Sequence, residues 1–552
     1  MRRTAAIGGK SRQGVLLIIV LAIACFLYLL VLSSTRFGTY HDDGIYVATA
    51  KSLATGQGYN IISLPYEPAQ TKYPPLYPFL LSLIWKVYPE FPQNLTAMTL
   101  LSVISTLGFL SLGWRYLLKR EYARPWQVLA VVAMTALNWR TMILATSIYS
   151  EMLFALLSVG ALFVAEQYET EPSWQKGVAA GALMGLAFLT RSSGVALLIA
   201  VAVHFAVRRR FRPAMLPIGV GSVFVIGWVA WSYFNKTTFK GGNSAYYTSY
   251  VADLASILSN LAAQSAGSKI AAVLTIAGEN LIGAIIVSIP MVCLGLNYDW
   301  VAGLSGFSLG LTLVFILLVC VLIAAGFVRH CRRGLRLLHV YVISFLVLHL
   351  FWPYASYDRF LLCILPFVLV FLMTELSVPL SLIKREASAN AKVNVKISAA
   401  FLFLILIFGL AFVAYGYVSG IKRTLASMEP AAKNAAEDAN LIQWIKQNSD
   451  PEDVLICYRD PKYYLYTGRK AISFSWLKQG SSWEGQQSLL LRIVSESGGR
   501  YLILTPNDFN HDYDEQLQRQ SLRTLVDANR TLFTPVFTSE ANSIIYRIER
   551  TQ

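Results

Sequence analysis

The apolar runs between residues 15 and 417 constrain this chain more than any other feature. A helix needs about 20 mostly apolar residues to cross a bilayer, because lipid offers no partner for exposed backbone polar groups. The first run, 15–32, meets that requirement. Arg2, Arg3, Lys10 and Arg12 precede it, which places the N-terminus on the cytoplasmic side. The run exceeds the short core of a signal peptide and no small-residue cleavage site clearly follows, so it reads as a retained span.

Further spans read as 95–112, 126–144, 150–167, 177–189, 195–207 and 215–233. Arg115, Lys119, Arg120 and Arg124 fall in one cytoplasmic loop, and Arg208, Arg209, Arg210 and Arg212 in another. Runs 304–328, 337–351, 360–376 and 397–417 bring the expected total to about eleven, given the length a span needs. Residues 271–296 are also apolar enough to span. A crossing there would put Arg329, Arg332, Arg333 and Arg336 outside. Residues 250–296 are therefore expected to form juxtamembrane or re-entrant helices on the outer side, with Glu279 facing protein or water.

Composition points the same way. Only 14% of the residues are charged, against about 25% in soluble domains. The net charge of +16 would suit nucleic acid only if it were clustered on one folded surface. Much of it lies in short loops between apolar runs, so membrane lipid is an expected partner and nucleic acid is not. Cys25, Cys293, Cys320 and Cys363 lie in apolar runs, Cys331 in a basic loop and Cys457 alone in the polar tail, so no structural disulfide is expected.

After Ser419 the chain turns polar. Residues 1–419 thus read as a transmembrane region with outer loops 35–94 and 234–303, and 420–552 as a soluble extracytoplasmic α/β domain. In the tail, 431–447 has helical spacing, and 454–458, 501–504 and 544–548 read as strands. Asp450-Pro451, Thr467-Gly468 and Gly498-Gly499 are turn signals between them.

The residues that carry chemistry gather on the outer face of this scheme. His41-Asp42-Asp43 lies just beyond the first span. Asp42 or Asp43 could simply cap a helix running through Tyr46, Ala50 and Leu53, and a helix start is also a firm platform for a general base. Thr71-Lys72-Tyr73-Pro74-Pro75-Leu76-Tyr77-Pro78 holds Lys72 at the membrane boundary, where a snorkelling lysine is the plain alternative. Ser150-Glu151 opens the fourth span, Thr190-Arg191-Ser192-Ser193-Gly194 breaks an apolar stretch, and Tyr354-Ala355-Ser356-Tyr357-Asp358-Arg359 precedes the tenth. Singly these are ordinary interfacial anchors. Together, acids and cations converge on one side, as a pocket for a phosphorylated substrate would require.

Asp42-Asp43 with Tyr46, Lys72-Tyr73-Pro74-Pro75-Leu76, Ser150-Glu151-Met152-Leu153, the run from Gly185 to Arg191, and Asp358-Arg359-Phe360 with Pro366 carry a family resemblance. The set resembles GT-C fold glycosyltransferases, in the bacterial branch of the lipid A aminoarabinose transferase and the protein O-mannosyltransferases. The resemblance covers residues 15–420 and the architecture of the tail.

It implies a polyprenyl-phosphate-sugar donor, a lipid, glycan or protein acceptor, and inversion by a single displacement. Asp42 would be the catalytic base. Asp43 stands where the family has Glu, and Glu151 where it has Asp, and either would orient the acceptor. Lys72, with Tyr73 intervening before the prolines, would contact the donor phosphate alongside Arg191 and Arg359. His41, Tyr46, Tyr73, Tyr357 and Asp358 complete the candidate pocket. No Asp-X-Asp occurs within 1–419, and cations could replace a metal, so no metal or other cofactor is expected. The expected location is the bacterial inner membrane, with the C-terminus periplasmic. The alternative class is a transporter or flippase for a lipid-linked glycan, which would favour internal repeats and charges at mid-bilayer.

Overall fold

The computed structural model describes residues 2–39, 41–236, 269–352, 357–386, 393–474, 483–506, 508 and 522–549. Seven helices among them are long and apolar enough to cross a membrane: Arg12–Leu30, Asn94–Lys119, Glu151–Thr170, Phe211–Phe234, Val273–Leu294, Gly306–Arg333 and Asp358–Ser377. Glu151–Thr170 and Asp358–Ser377 are each 78% buried, while Arg12–Leu30 is 11% buried, so the first two form the centre of the bundle and the last its rim.

The labels α1 to α10 denote Arg2–Leu30, His41–Ala54, Leu76–Val87, Asn94–Lys119, Pro125–Leu137, Trp139–Ala145, Glu151–Thr170, Trp174–Thr190, Val195–Val207 and Phe211–Phe234. The run expected as one span over 126–144 is α5 and α6, bent by 62°. Asn138 makes the break. Its side chain accepts from Arg140 N at 3.0 Å and donates to the Val292 carbonyl at 2.8 Å, replacing helical bonds with bonds of its own.

The runs expected over 177–189, 195–207 and 337–351 are helices Trp174–Thr190, Val195–Val207 and Leu337–Leu350, shorter than a full crossing. Val273–Leu294, expected to stay on one side, is long enough to cross. Its interior is π-helical over Leu281–Ser288. Asn280 Nδ2 donates to the carbonyls of His349, Leu350 and Trp352, and the Tyr417 hydroxyl donates to the Cys293 carbonyl. Glu279 is exposed.

Helices α8 and α10 meet across a small-residue seam. A Cβ on Gly181 would lie 2.6 Å from the Pro217 carbonyl oxygen and 2.7 Å from Val220 Cβ, and one on Gly185 would strike Phe224. Within lipid, such close backbone approach supplies the packing that the hydrophobic effect supplies in water.

Beyond helix Val393–Ala426 and helix Met428–Asn448 stands a five-stranded mixed sheet. Its strands are β1 Val454–Cys457, β2 Ala471–Ser473, β3 Gly499–Leu504, β4 Phe533–Thr538 and β5 Ile544–Ile548, in the order β2-β1-β3-β5-β4. β1 is parallel to β2 and β3, and β5 is antiparallel to β3 and β4. One face packs on Leu441, Ile442 and Ile445 of helix Met428–Asn448. The other buries Ile456, Ile472 and Leu502 with Ile61 and Leu64, which come from the loop after α2. That loop also joins the sheet edge: Ala471 N donates to the Ser63 carbonyl at 2.9 Å, and Lys470 Nζ to that of Ile62 at 2.6 Å. Strands β2 and β4 and helix Asp460–Thr467 were absent from the sequence reading. β2 is three residues long and β4 is an edge strand interrupted by Pro535. All six cysteines are free.

Candidate active site

The site is built on the first turn of α2. Asp43 fixes that turn: Oδ2 accepts from Gly38 N and Oδ1 from Gly44 N, both at 2.8 Å. Gly38, at φ +77°, supplies a left-handed bend that few other residues adopt. Asp43 is 3% exposed, and burial pushes its carboxyl up to about 7 despite the two N–H donors. The carboxylate serves the backbone.

Asp42 faces the other way. Its Oδ1 accepts from the Tyr73 hydroxyl at 2.5 Å, and its Oδ2 lies 2.9 Å from Arg359 Nη1. Burial alone would raise its proton affinity. Arg359, the Tyr73 hydroxyl, Arg191 and His41 together outweigh burial and hold the carboxyl below the usual carboxylate range. The two adjacent acids therefore have different duties.

Glu151 opens α7 with no solvent exposure and joins the cations to one another. Its Oε1 pairs with Arg191 Nη1 at 2.8 Å and also with Arg359 Nε. Ser150 beside it accepts from Arg191 Nη1 at 3.1 Å and shares a hydrogen bond with the Tyr46 hydroxyl at 3.1 Å. Arg359 lies over the Tyr149 ring and Arg191 over the Phe360 ring. Asp42, Arg359, Glu151 and Arg191 thus form one unbroken chain of contacts. Arg359 Nη2 and Glu151 Oε2 are buried with no hydrogen-bond partner among the described residues.

Lys72 is 4% exposed and its segment is pinned from two sides. Its backbone N–H and that of Tyr73 donate to Gln70 Oε1, while Trp231 and Ser232 of α10 donate to the carbonyls of Gln70 and Thr71. Lys72 is within electrostatic reach of His41. His41 Nε2 in turn lies 2.5 Å from Asp460 Oδ1, at the start of helix Asp460–Thr467.

Asp358 pairs with Arg140 Nη1 of α6 at 2.5 Å, apart from the Asp42–Glu151 chain. The Tyr357 side chain lies outside the described residues, as do residues 353–356. Asp460, Arg140 and Tyr149 were missed from sequence, while Ser150 was named there only as part of the Ser150-Glu151 motif. Tyr149 adjoins the Ser150-Glu151 motif and could have been found from it. Asp460 carries no local signal, since 419 positions separate it from His41. Among the described residues no cluster of three His, Cys, Asp or Glu is arranged to hold a metal. A separate cavity of about 450 Å³ is lined by Phe37, Asp438, Lys462 and Tyr466 and does not reach the arginines.

No protein-family model matches the sequence, and no curated protein does. Solved structures do match. ArnT from Cupriavidus metallidurans in the apo state is 14% identical, with 98% of each chain covered and a TM-score of 0.51. The same protein bound to undecaprenyl phosphate is 14% identical, with 96% of this chain and 97% of that one covered and a TM-score of 0.50. The Archaeoglobus fulgidus oligosaccharyltransferase in the apo form is 13% identical, with 97% of this chain and 74% of that one covered and a TM-score of 0.54. Over nearly its whole length the chain therefore has the fold of these proteins, the GT-C glycosyltransferase fold that its motifs resembled.

Proposed function

We propose that this protein is a membrane glycosyltransferase that moves a sugar from a polyprenyl-phosphate donor to an acceptor outside the membrane. One observation carries the reading: the chain Asp42–Arg359–Glu151–Arg191 joins a carboxylate suited to be a base to two guanidinium groups suited to phosphate. The buried, unpartnered Nη2 of Arg359 adds a donor that a phosphate oxygen would satisfy. The structural neighbours support the same ligand class, since one was solved with undecaprenyl phosphate and another with a dolichol-phosphate.

In the proposed reaction the acceptor hydroxyl gives its proton to Asp42 while its oxygen bonds to the anomeric carbon. The bond from that carbon to the phosphate oxygen breaks, and the electron pair leaves on the phosphate. Arg191, Arg359 and Lys72 meet the charge as it develops. Attack and departure on opposite sides invert the anomeric centre. The acceptor is a lipid, a glycan or a protein.

The membrane arrangement belongs to the same proposal. Residues 1–419 are read as about eleven spans, with the shorter helices Trp174–Thr190, Val195–Val207 and Leu337–Leu350 counted as crossings. The N-terminus is cytoplasmic, and 420–552 lies outside, periplasmic if the membrane is a bacterial inner one. Asn280 is tied to the end of Leu337–Leu350 remote from Arg336, and Cys293 to Tyr417, remote from Lys396. Positive-inside loops put both ties on the outer side, which favours a re-entrant Val273–Leu294. A phosphatase fused after Ser449 should be active and one fused after Arg209 inactive.

The function is tested with purified protein in nanodiscs, supplied with polyprenyl-phosphate sugars extracted from the native membrane. Mass spectrometry should detect release of free polyprenyl phosphate together with a glycosylated acceptor. Folded protein that releases none from any such extract would sink the reading.

A further inference from the structure

We propose that Asp460, in the C-terminal α/β region, is a positioning residue of this site: through His41 it holds a cationic imidazole beside Asp42 and Lys72. The proposal rests on the polyprenyl-phosphate reading above and gives the outer region a part in donor binding.

The contact is short and enclosed. His41 Nε2 lies 2.5 Å from Asp460 Oδ1, and the Asp460 side chain has no solvent exposure while that of His41 has 14%. Helix Asp460–Thr467 packs closely on α2. A Cβ on Gly44 would lie 2.8 Å from Pro461 Cβ, and one on Gly38 would strike the Lys462 side chain. Lys462 Nζ is itself held by Asp438 at 2.5 Å. Tyr464 and Leu465 are buried in the apolar cluster of Ile45, Tyr46 and Tyr77, and the Tyr466 ring packs on Phe91. The carboxylate is thus presented to His41 by a closely packed, buried surface.

The groups facing His41 decide its charge. Burial opposes the imidazolium, and Lys72 from the loop before α3 opposes it too. Asp460 from the C-terminal helix and Asp42 from α2 itself favour it, and together they hold the imidazole above its ordinary proton affinity. Without Asp460, burial and Lys72 would face Asp42 alone. His41 then loses its proton at lower pH, and the pocket loses a cation next to the phosphate position. A carboxylate that merely docked the outer region would leave no such trace in the pH dependence.

The test is binding of undecaprenyl phosphate to the full-length protein in nanodiscs between pH 5 and 9. Wild-type affinity should fall as pH rises through the titration of His41. Asp460→Asn should move that fall down by about one unit, weakening Kd by up to about tenfold at pH values between the two titrations. Asp460→Glu should restore most of the shift. His41→Gln should remove the histidine's part of the step, and His41→Gln with Asp460→Asn should bind no more weakly than His41→Gln alone. Two other groups titrate nearby. The lipid phosphate gains charge near pH 6, which acts in the opposite direction, and Asp43 loses its proton near 7. Both are common to every variant, so differences between variants report on His41. Size-exclusion chromatography checks that each variant is folded. Wild-type binding with an Asp460→Asn curve that superimposes on it, or is displaced equally at every pH, overturns the dyad and leaves the transferase reading intact. Wild-type protein that does not bind the lipid overturns the donor reading and the dyad with it.

Discussion

Arg359 Nη1 lies 2.9 Å from Asp42 Oδ2, so an arginine proposed to receive the leaving phosphate is also the group that holds the proposed base. While that pair is intact, Asp42 keeps its proton affinity low and is a weak base. A donor phosphate that draws Arg359 toward itself would strengthen the base at the moment it is needed. Activity requires ionised Asp42 and falls as pH drops through its titration. In Arg359→Gln the acid limb of kcat/KM, which reports the free enzyme, should therefore move to higher pH on whatever activity remains. An acid limb that stays in place would show that Arg359 does not tune Asp42.

Asp42→Asn removes the basic oxygen and, with it, the ion pair to Arg359. The amide oxygen still accepts the Tyr73 hydroxyl, and Arg359 keeps Glu151. A positioned base contributes typically about 10²–10⁴-fold, so turnover should fall by at least that order in protein that remains folded at the assay temperature. Transfer assays beside thermal unfolding would settle the matter, and near wild-type turnover would pass the role of base to another group.

Glu151 was assigned from sequence to orienting the acceptor. Its geometry suits an anchor for two arginines better. It has no solvent exposure and touches both guanidinium groups. Glu151→Gln leaves those cations short of a buried counter-charge, and breaking a buried pair costs roughly 3–5 kcal/mol. Stability and polyprenyl-phosphate binding should fall together. A variant that melts like wild type yet fails to transfer would restore the acceptor role.

The apolar helices were legible because lipid imposes an apolar composition on every crossing; which of them are long enough to cross was not, since Val273–Leu294 reaches that length and Leu337–Leu350 does not. The break at Asn138 was not, because its cause is a hydrogen bond to Val292, 154 positions away. Asp42 and Asp43 could not be told apart in sequence. Both stand in the first turn of one helix, and what separates them is the Gly38 turn on one side and Arg359 on the other. Tyr73 appeared in the sequence as an intrusion between Lys72 and the prolines, yet its hydroxyl is what reaches Asp42. The tail's strands 501–504 and 544–548 were readable as short runs rich in apolar, aromatic and β-branched residues, the first set off by the Gly498-Gly499 turn. The attachment of helix Asp460–Thr467 to α2 was not, since it depends on shape complementarity at Gly38 and Gly44.

The α8–α10 seam gives a test that does not involve the site. At Gly181 a new methyl group would meet the Pro217 carbonyl, which is backbone and cannot rotate aside. Gly181→Ala should lower stability by about 1–3 kcal/mol, the usual cost of overpacking. Gly219, whose Cβ would meet nothing within 4 Å, is the control, and Gly219→Ala should leave the melting temperature close to wild type. Equal effects at the two positions would mean that the seam is not close-packed.

Asp43 ties stability to pH with a definite sign. Its folded-state carboxyl is pushed up to about 7 by burial, against about 3.9 in an unfolded chain. The folded state therefore binds the proton more tightly than the unfolded one. Its contribution is fully present below about pH 4 and is lost as pH rises through about 7. Asp508, buried and pushed up to about 6, acts in the same direction. The wild-type melting temperature in detergent should decline from pH 5 to pH 8 on both accounts. Asp43→Asn can accept only one of the N–H groups of Gly38 and Gly44, so at pH 5 it should be less stable than wild type, by about 1–3 kcal/mol. From pH 5 to pH 8 it should then lose less stability than wild type, because its share of the titration is gone. Asp508→Asn separates the two carboxyls, since it retains the Asp43 share. An Asp43→Asn slope equal to the wild-type slope would mean that Asp43 does not change its protonation on folding.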